Sequence, residues 1–218
     1  MNTAAAISTS RHAVQHTQAK VLTDIYRDDV NLAVWQRQLD SALQSEIKQL
    51  LSRKPGFQLA LSLSPEQAEQ QLLDAFGEKT SYLLLSRDIA NLVDMFCCLF
   101  ELKRAGLRLT VLDRAMCPKF HVDKVPCRLV STFAGRASEW LEHSKVERSK
   151  LGAGSRGLAD EDSGLFKQQD DIQRLTSGDV ALLKGERWLG NEGAGLVHRS
   201  PALGTDEQRL LLTLDFSE

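Results

Sequence analysis

The sequence has little charge imbalance and no long apolar run. Its 218 residues carry 27 Lys and Arg against 29 Asp and Glu, which gives a formal net charge of −2. This balance argues against a protein whose main task is to bind nucleic acid or an anionic membrane. No stretch approaches the roughly 20 apolar residues of a membrane span. The first residues show no apolar segment after a basic start, so we expect no signal peptide.

Cysteine is also scarce. Four cysteines in 218 residues make no disulfide framework. Cys97 and Cys98 are adjacent within an apolar run, and we interpret them as small buried hydrophobic residues. The composition therefore predicts a cytoplasmic protein with one domain of ordinary size, or one domain with a modest extension.

The beginning of the chain predicts a tail followed by a helix. Residues 1–20 are small and polar, and we expect them to form a flexible tail. Within residues 21–51, apolar side chains recur at steps of three and four, which predicts an amphipathic helix. Residues 57–63 alternate between apolar and polar, which is typical of a short strand.

Two further helices are predicted before residue 107. Ser64 and Pro65 are typical of a helix start, and the pattern runs to about Phe76. A second apolar periodicity predicts a helix over residues 87–105, closed by Gly106. Residues 21–106 are therefore expected to form a helical N-terminal region.

Short strands replace helices in residues 107–218. The expected strands lie at 107–112, 127–133, 178–183, 196–198 and 208–216. Strands of this length and spacing favour a sandwich or a barrel. Residues 143–170 between them are polar and rich in Gly and Ser, which predicts a mobile or disordered loop, with an ordered lid as the alternative.

His121 and Asp123 are the first candidate metal ligands. In an extended strand, residues two apart point to the same face, so these two side chains would converge. His198, at the end of a later strand, is the candidate third ligand. Two histidines and one carboxylate form a facial triad that leaves positions open on a non-haem Fe(II). The His-x-Asp pattern by itself also arises by chance.

Arg209 is the candidate anion-binding residue. It follows His198 by eleven positions and begins a strand of alternating character. One face of that strand would carry Arg209, Leu211, Thr213 and Asp215. An arginine inside a barrel needs an anion, and its planar fork suits a carboxylate. The alternative is a structural salt bridge from Arg209 to Asp215 or Glu207.

The order of these residues resembles the Fe(II)/2-oxoglutarate-dependent dioxygenase superfamily. The resemblance implies an α+β fold with a double-stranded β-helix (a cupin-like jelly roll), on which the N-terminal helices pack. It implies iron bound by His121, Asp123 and His198, and 2-oxoglutarate with its far carboxylate on Arg209. The superfamily usually has a serine two residues after that arginine. Leucine stands there in this sequence, and Thr213 on the same face could replace the hydroxyl.

A closer resemblance is carried by the run Met116-Cys-Pro-Lys-Phe-His-Val-Asp-Lys-Val-Pro-Cys-Arg-Leu-Val together with the later His198-Arg-Ser-Pro. These motifs are similar to a bacterial domain-of-unknown-function family, number 1826, and the similarity extends from about Leu22 onward. This resemblance implies a functional link to a CobW-type metal GTPase and to zinc homeostasis.

Because of Cys117 and Cys127, the sequence does not decide between Zn(II) and Fe(II). They flank the His-x-Asp motif and are foreign to the dioxygenase pattern. A thiolate near the site would favour Zn(II) over Fe(II), whereas burial as small apolar residues is the simpler interpretation. We interpret Arg128 as a surface or packing residue.

Three hypotheses follow from the sequence. The first is an Fe(II)/2-oxoglutarate-type oxygenase that hydroxylates an unknown small molecule or protein, with the loop 143–170 closing over its site. The second is a zinc-binding cupin-like protein, either non-enzymatic or hydrolytic. The third is a degenerate barrel that binds a partner protein and no metal.

Overall fold

A computed structural model describes residues 10–77 and 81–217. Within them, a large and a small β-sheet face each other, and α-helices cover the outer face of the large sheet. The helices are α1 (Ser41–Arg53), α2 (Pro65–Phe76) and α3 (Leu83–Phe100). The strands are β1 (His12–His16), β2 (Val30–Trp35), β3 (Gln58–Leu63), β4 (Ala105–Leu112), β5 (Cys127–Ala134), β6 (Glu139–Leu141), β7 (Ile172–Arg174), β8 (Val180–Lys184), β9 (Val197–Arg199) and β10 (Arg209–Phe216). No helix in these ranges is long and apolar enough to cross a membrane.

The large sheet has the order β1-β2-β8-β5-β10-β4-β3, and the small sheet has the order β7-β6-β9. All strand pairs are antiparallel except β1 with β2. The segment around His121 adds to the free edge of β9 through an antiparallel bridge to His198. The strands predicted at 107–112, 127–133, 178–183, 196–198 and 208–216 are thus confirmed, whereas the strand predicted around His121 and Asp123 is reduced to this single bridge.

Successive side chains of β10 point alternately into two different cores. Leu210, Leu212 and Leu214 belong to the core under the helices, together with Leu72 and Phe96. Leu211 points the other way, into a second core between the sheets. That second core contains Leu32, Val34, Val130, Trp140, Ala181, Leu183, Leu196 and Leu211. The predicted two-faced character of β10 is therefore confirmed.

The helix predicted within residues 21–51, with Asn31 as its possible cap, is confirmed for its second half by α1 and is wrong before residue 41. The structure has a 3-10 helix at Ala19–Tyr26, then strand β2, and only then α1. Every residue of β2 but the last is buried, because β1 and β8 pair with it on either side. Pairing in the sheet therefore overrides the helical spacing of its apolar residues. Helix α1 begins after Asp40, whose side chain accepts a hydrogen bond from the backbone N–H of Leu43 at 2.8 Å.

The N-terminal region contributes strands as well as helices. His12–His16 forms β1, so the predicted tail over residues 1–20 is wrong for that part, while residues 1–9 lie outside the described ranges. Together β1, β2 and β3 supply both edges of the large sheet. The division at residue 106 therefore does not separate a helical region from a complete barrel.

The helix boundaries were predicted with mixed success. Helix α2 is confirmed, and it ends at Gly77 in the left-handed conformation with φ 75°. Helix α3 ends at Phe100, and Glu101 after it lies in the left-handed region. The predicted end at residue 105 is too late, because residues 105 and 106 already pair within the sheet. On α3, Cys97 is buried but Cys98 is exposed, since neighbouring residues of a helix point in different directions.

Residues 143–170 are not structureless. They form short 3-10 helices at His143–Lys145, Arg148–Lys150 and Gly152–Ser155. Leu165 and Phe166 are buried in a small core beside the small sheet. That this segment closes over a site stays a prediction.

Candidate metal centre

His121 and His198 lie side by side on the inner face of the small sheet. Each backbone N–H donates to the other residue's carbonyl oxygen at 3.0 Å. Their ring centroids are 4.6 Å apart. Residues that are directly opposed across an antiparallel pair share a face. Two residues distant in sequence are therefore brought together by one backbone bridge.

Asp123 completes the group, but not as a strand residue. The expected extended strand ends near His121, and Asp123 lies in an irregular segment. Its backbone oxygen accepts from the N–H of Glu186 at 3.0 Å. The preceding Gly185 allows this close approach, because a Cβ there would lie 2.0 Å from the Val125 oxygen and 2.8 Å from the Asp123 oxygen.

The three side chains converge on one point. Asp123 Oδ1 lies 3.8 Å from His121 Nε2, and Asp123 Oδ2 lies 3.6 Å from His198 Nε2. The three ligand atoms lie within 4.8 Å of one another, and this is the single candidate metal group among the described residues. One cation with ligands at about 2.0–2.2 Å could contact all three. The predicted convergence of His121, Asp123 and His198 is thus present.

Both histidines are held in the tautomer that a metal ligand requires. Nδ1 of His121 lies 3.0 Å from the Lys119 carbonyl, and Nδ1 of His198 lies 3.2 Å from the Leu196 carbonyl. A carbonyl oxygen can only accept, so each Nδ1 carries the proton and each Nε2 offers its lone pair. Burial lowers the pKa of His198 to about 4, so that ring is neutral near pH 7.

Arg128 holds the carboxylate ligand, which corrects its interpretation as a surface or packing residue. Its Nη1 donates to Asp123 Oδ2 at 2.8 Å. Its Nε and Nη2 donate to the two oxygens of Asp215 at 2.7 and 3.1 Å. Asp123 is thereby held by its side chain as well as by its backbone. No feature of the sequence marks this role, because it depends on the register between β5 and β10.

We expect Arg128→Gln to weaken metal binding by about 10- to 100-fold, the usual cost of losing a group that orients a ligand. The reason is that Asp123 would lose its charged donor while its backbone stays in place. Metal dissociation constants from competition with a chelator would measure the effect. Arg136→Gln, which removes an exposed ion pair with Glu207, is the matched control. Equal affinity of wild type and Arg128→Gln would contradict the assignment.

Arg209 is almost completely buried, with 1% of its surface exposed. It donates to hydroxyls: Nε and Nη2 to Thr132 Oγ1 at 3.3 and 3.0 Å, and Nη2 to Ser138 Oγ at 2.8 Å. Burial lowers the pKa of Arg209 to about 10, so the group stays charged near pH 7. No carboxylate among the described residues forms an ion pair with it.

The salt bridges considered as alternatives for Arg209 are not formed. Asp215 is paired with Arg128, and Glu207 is paired with Arg136. A buried guanidinium without an anion is costly, which makes Arg209 a candidate for binding an anionic ligand. Thr213 lies on the same face of β10, half-buried and opposite Val130. Its role as a hydroxyl donor stays a prediction.

Trp140 provides a second unpaired group that the sequence did not reveal. It is 5% exposed, belongs to the core between the sheets, and is the cross-strand neighbour of His198. Its indole Nε1 is buried and has no hydrogen-bond partner. A buried N–H without an acceptor is rare in native proteins. This N–H is therefore a candidate donor to a bound ligand.

The cysteines are not brought to the triad. Cys127 is buried in the core under the helices, and burial raises the pKa of its thiol, which disfavours the thiolate. Cys117 is exposed beside the bridge, where its carbonyl accepts from the N–H of Ser200 at 2.9 Å. The candidate metal group of the described residues includes neither cysteine.

Several solved structures have a similar fold, and three of them illustrate the range of similarity. A dioxygenase for auxin oxidation from rice is 12% identical over 95% of this chain and 83% of its own, with a TM-score of 0.52. A prolyl-4-hydroxylase of Pseudomonas putida is 12% identical over 93% of this chain and 100% of its own, with a TM-score of 0.48. HygX of Streptomyces hygroscopicus, with nickel and 2-oxoglutarate bound, is 13% identical over 90% of this chain and 85% of its own, with a TM-score of 0.44. The similarity to the rice enzyme carries the fold assignment.

The fold is therefore an α+β double-stranded β-helix, as expected from the sequence, and its small sheet carries a candidate 2-His-1-carboxylate metal centre. The family model described as protein of unknown function (DUF1826) matches residues 16–215. The chain belongs to this family. A search of curated proteins found no match.

Proposed function

We propose that the protein is an Fe(II)/2-oxoglutarate-dependent oxygenase that hydroxylates a substrate not yet identified. The observation that carries this proposal is Arg209, a buried cation without a carboxylate, in the same barrel as the triad of His121, Asp123 and His198. A metal site alone would not require a buried arginine. A dicarboxylate that reaches from the metal to Arg209 accounts for both.

The residues present fit these two groups. The triad offers two imidazoles and one carboxylate, the ligand set of non-haem Fe(II) oxygenases. Arg209 would bind the far carboxylate of 2-oxoglutarate together with Thr132 and Ser138, whose hydroxyls already contact its guanidinium. The free N–H of Trp140 would donate to the same ligand. When bound, iron and 2-oxoglutarate would supply the oxidising chemistry for a substrate C–H bond.

The rest of the barrel supplies orientation and a dry interior. The side chains between the sheets are apolar and buried, among them Val130, Leu183, Leu196 and Leu211. They form a water-poor core between the sheets, and a low-polarity environment strengthens polar contacts within it. Arg128 keeps Asp123 in place at the open end. Sharing a fold with a dioxygenase supports the same assignment.

The zinc hypothesis has less support. A thiolate near the triad would favour zinc, but Cys127 lies in the other core with a raised pKa. It also does not explain why the positive charge of Arg209 is buried. A link to zinc homeostasis or to a CobW-type GTPase stays a prediction from the family resemblance.

The test begins with protein purified without chelators. We expect anaerobic addition of Fe(II) and 2-oxoglutarate to produce a weak visible charge-transfer band. We expect admission of oxygen to convert 2-oxoglutarate to succinate slowly, even without substrate. Tightly bound zinc that iron does not replace, with no band and no succinate, would contradict the proposal.

A further inference from the structure

Two arginines and one histidine gather around the glycine-rich loop of residues 190–195. They are Arg11, which precedes β1, and His143 and Arg148, which follow β6. We call these three residues the mouth cluster. Neither the metal centre nor the site of Arg209 uses them.

The mouth cluster is held by neutral acceptors. Arg148 Nη2 donates to the Gly195 carbonyl at 2.6 Å and lies 3.2 Å from His143 Nδ1. Arg11, which is 8% exposed, donates through Nε to Asn191 Oδ1 at 2.9 Å and through Nη2 to the Gly190 carbonyl at 2.8 Å. These contacts orient two guanidinium groups without neutralising either of them.

One N–H donor of the Arg148 guanidinium is not used. Its Nε is buried and lacks a hydrogen-bond partner. A guanidinium that lies in this way, with a free N–H and no carboxylate, has the geometry that binds an oxyanion through its fork. An unpaired buried donor also costs free energy, which a bound oxyanion would recover.

The positive charge is not balanced locally. The charge of Arg11 contributes to lowering the pKa of His143 and of Arg148, although burial is the larger cause for both. Glu186 is the acidic group that acts on Arg148, but no ion pair joins the two among the described residues. The undescribed residues 1–9 contain no Asp or Glu that could pair with Arg11.

The mouth cluster adjoins the metal centre. Leu141 pairs with Val197, which places His143 beside Gly195, three residues before His198. Glu186 connects the two sites, since its N–H bonds the Asp123 oxygen and its Cγ lies 3.1 Å from a Cβ built on Gly195. A molecule held by the cluster would therefore lie next to the strand that carries His198.

We propose that the mouth cluster binds an oxyanion, a carboxylate or a phosphate group, carried by the substrate. The free Nε of Arg148 is the principal donor, Arg11 adds a second positive charge, and the neutral ring of His143 orients Arg148 by accepting from its Nη2. Oxyanion binding stands on the geometry of the cluster, whereas its assignment to the substrate rests on the proposed function. An anionic group anchored there would hold the rest of the substrate over the metal.

The test uses the metal-free full-length protein and calorimetric titration with inorganic phosphate and, separately, with acetate at constant ionic strength. The two probes distinguish a phosphate group from a carboxylate. We expect saturable binding of at least one of them. Arg148→Gln should weaken it roughly tenfold or more, the usual effect of losing a hydrogen bond to a charged group. Lys150→Gln, which removes the same charge two residues away, is the matched control and should leave it unchanged.

The proposal would be overturned if neither anion bound saturably, or if Arg148→Gln and Lys150→Gln weakened anion binding equally. It would also be overturned if anion binding were lost in Arg209→Gln but retained in Arg148→Gln. Should Arg148→Gln fail to fold, NMR of the wild type decides, because the anion must shift the Nε–Hε signals of Arg148 and Arg11. Oxyanion binding without 2-oxoglutarate turnover would refute the proposed function while leaving the anion site intact.

Discussion

His198→Ala is expected to reduce metal affinity by roughly a hundredfold or more. Apparent binding free energies of about 10–16 kcal/mol for four-ligand structural zinc sites correspond to several kcal/mol per ligand. In this protein the candidate group has three members, and Nε2 of His198 faces Asp123 Oδ2 at 3.6 Å. Alanine leaves only His121 and Asp123 near the ion.

The measurement is iron content after gel filtration together with competition against a chromophoric chelator. His12→Ala is the matched control, because His12 lies on β1 at the exposed edge of the large sheet. Since His198 is itself buried, thermal melting must show that the variant is folded. Undiminished metal affinity in folded His198→Ala would rule out the triad as the metal centre.

Arg209→Met is expected to lower 2-oxoglutarate affinity by roughly a hundredfold without lowering stability. The affinity falls because two charge-assisted hydrogen bonds of about 1.5–3 kcal/mol each cannot form. The stability is kept because Arg209 has no carboxylate partner, and a buried charge is often replaced by an apolar side chain at no cost or with a gain.

Arg37→Met is the matched control for this experiment. Arg37 forms a two-point ion pair with Asp88 at 2.7 and 2.8 Å, so its loss should cost roughly 3 kcal/mol of folding free energy. It contacts neither the triad nor Arg209, so 2-oxoglutarate affinity should not change. Calorimetric titration and denaturant unfolding measure the two quantities. If Arg209→Met were destabilised like Arg37→Met and still bound 2-oxoglutarate normally, Arg209 would be structural.

The candidate site was predicted more completely than the fold around it. The triad and Arg209 followed from residue types, from the spacing of Arg209 after His198 and from the family resemblance. The two-residue period of a strand, which was the reason given for the convergence of His121 and Asp123, does not apply there, because Asp123 lies in an irregular segment. The alternation of β10 placed Arg209 on the face between the sheets and Leu210, Leu212 and Leu214 on the helix side. These inferences did not require the register between neighbouring strands. Each depends on a single strand or on the order of residues along the chain.

The errors arose where distant segments decide local structure. Residues 30–35 have a spacing compatible with a helix but form β2, because β1 and β8 complete its hydrogen bonds. Gly106 is typical of a helix end but belongs to β4, where it is paired on both sides. Neither partner of these segments can be identified from the local sequence.

By itself, the sequence determined the strand-rich second half and the two faces of β10, and it selected His121, Asp123, His198 and Arg209 as candidate site residues. Only the tertiary structure decided what surrounds them: Arg128 on the carboxylate ligand, the unpaired N–H of Trp140, and the mouth cluster. The physical reason is that side-chain periodicity is a local property of the backbone. Hydrogen bonds and unpaired charges, in contrast, depend on which strands are neighbours and in which register.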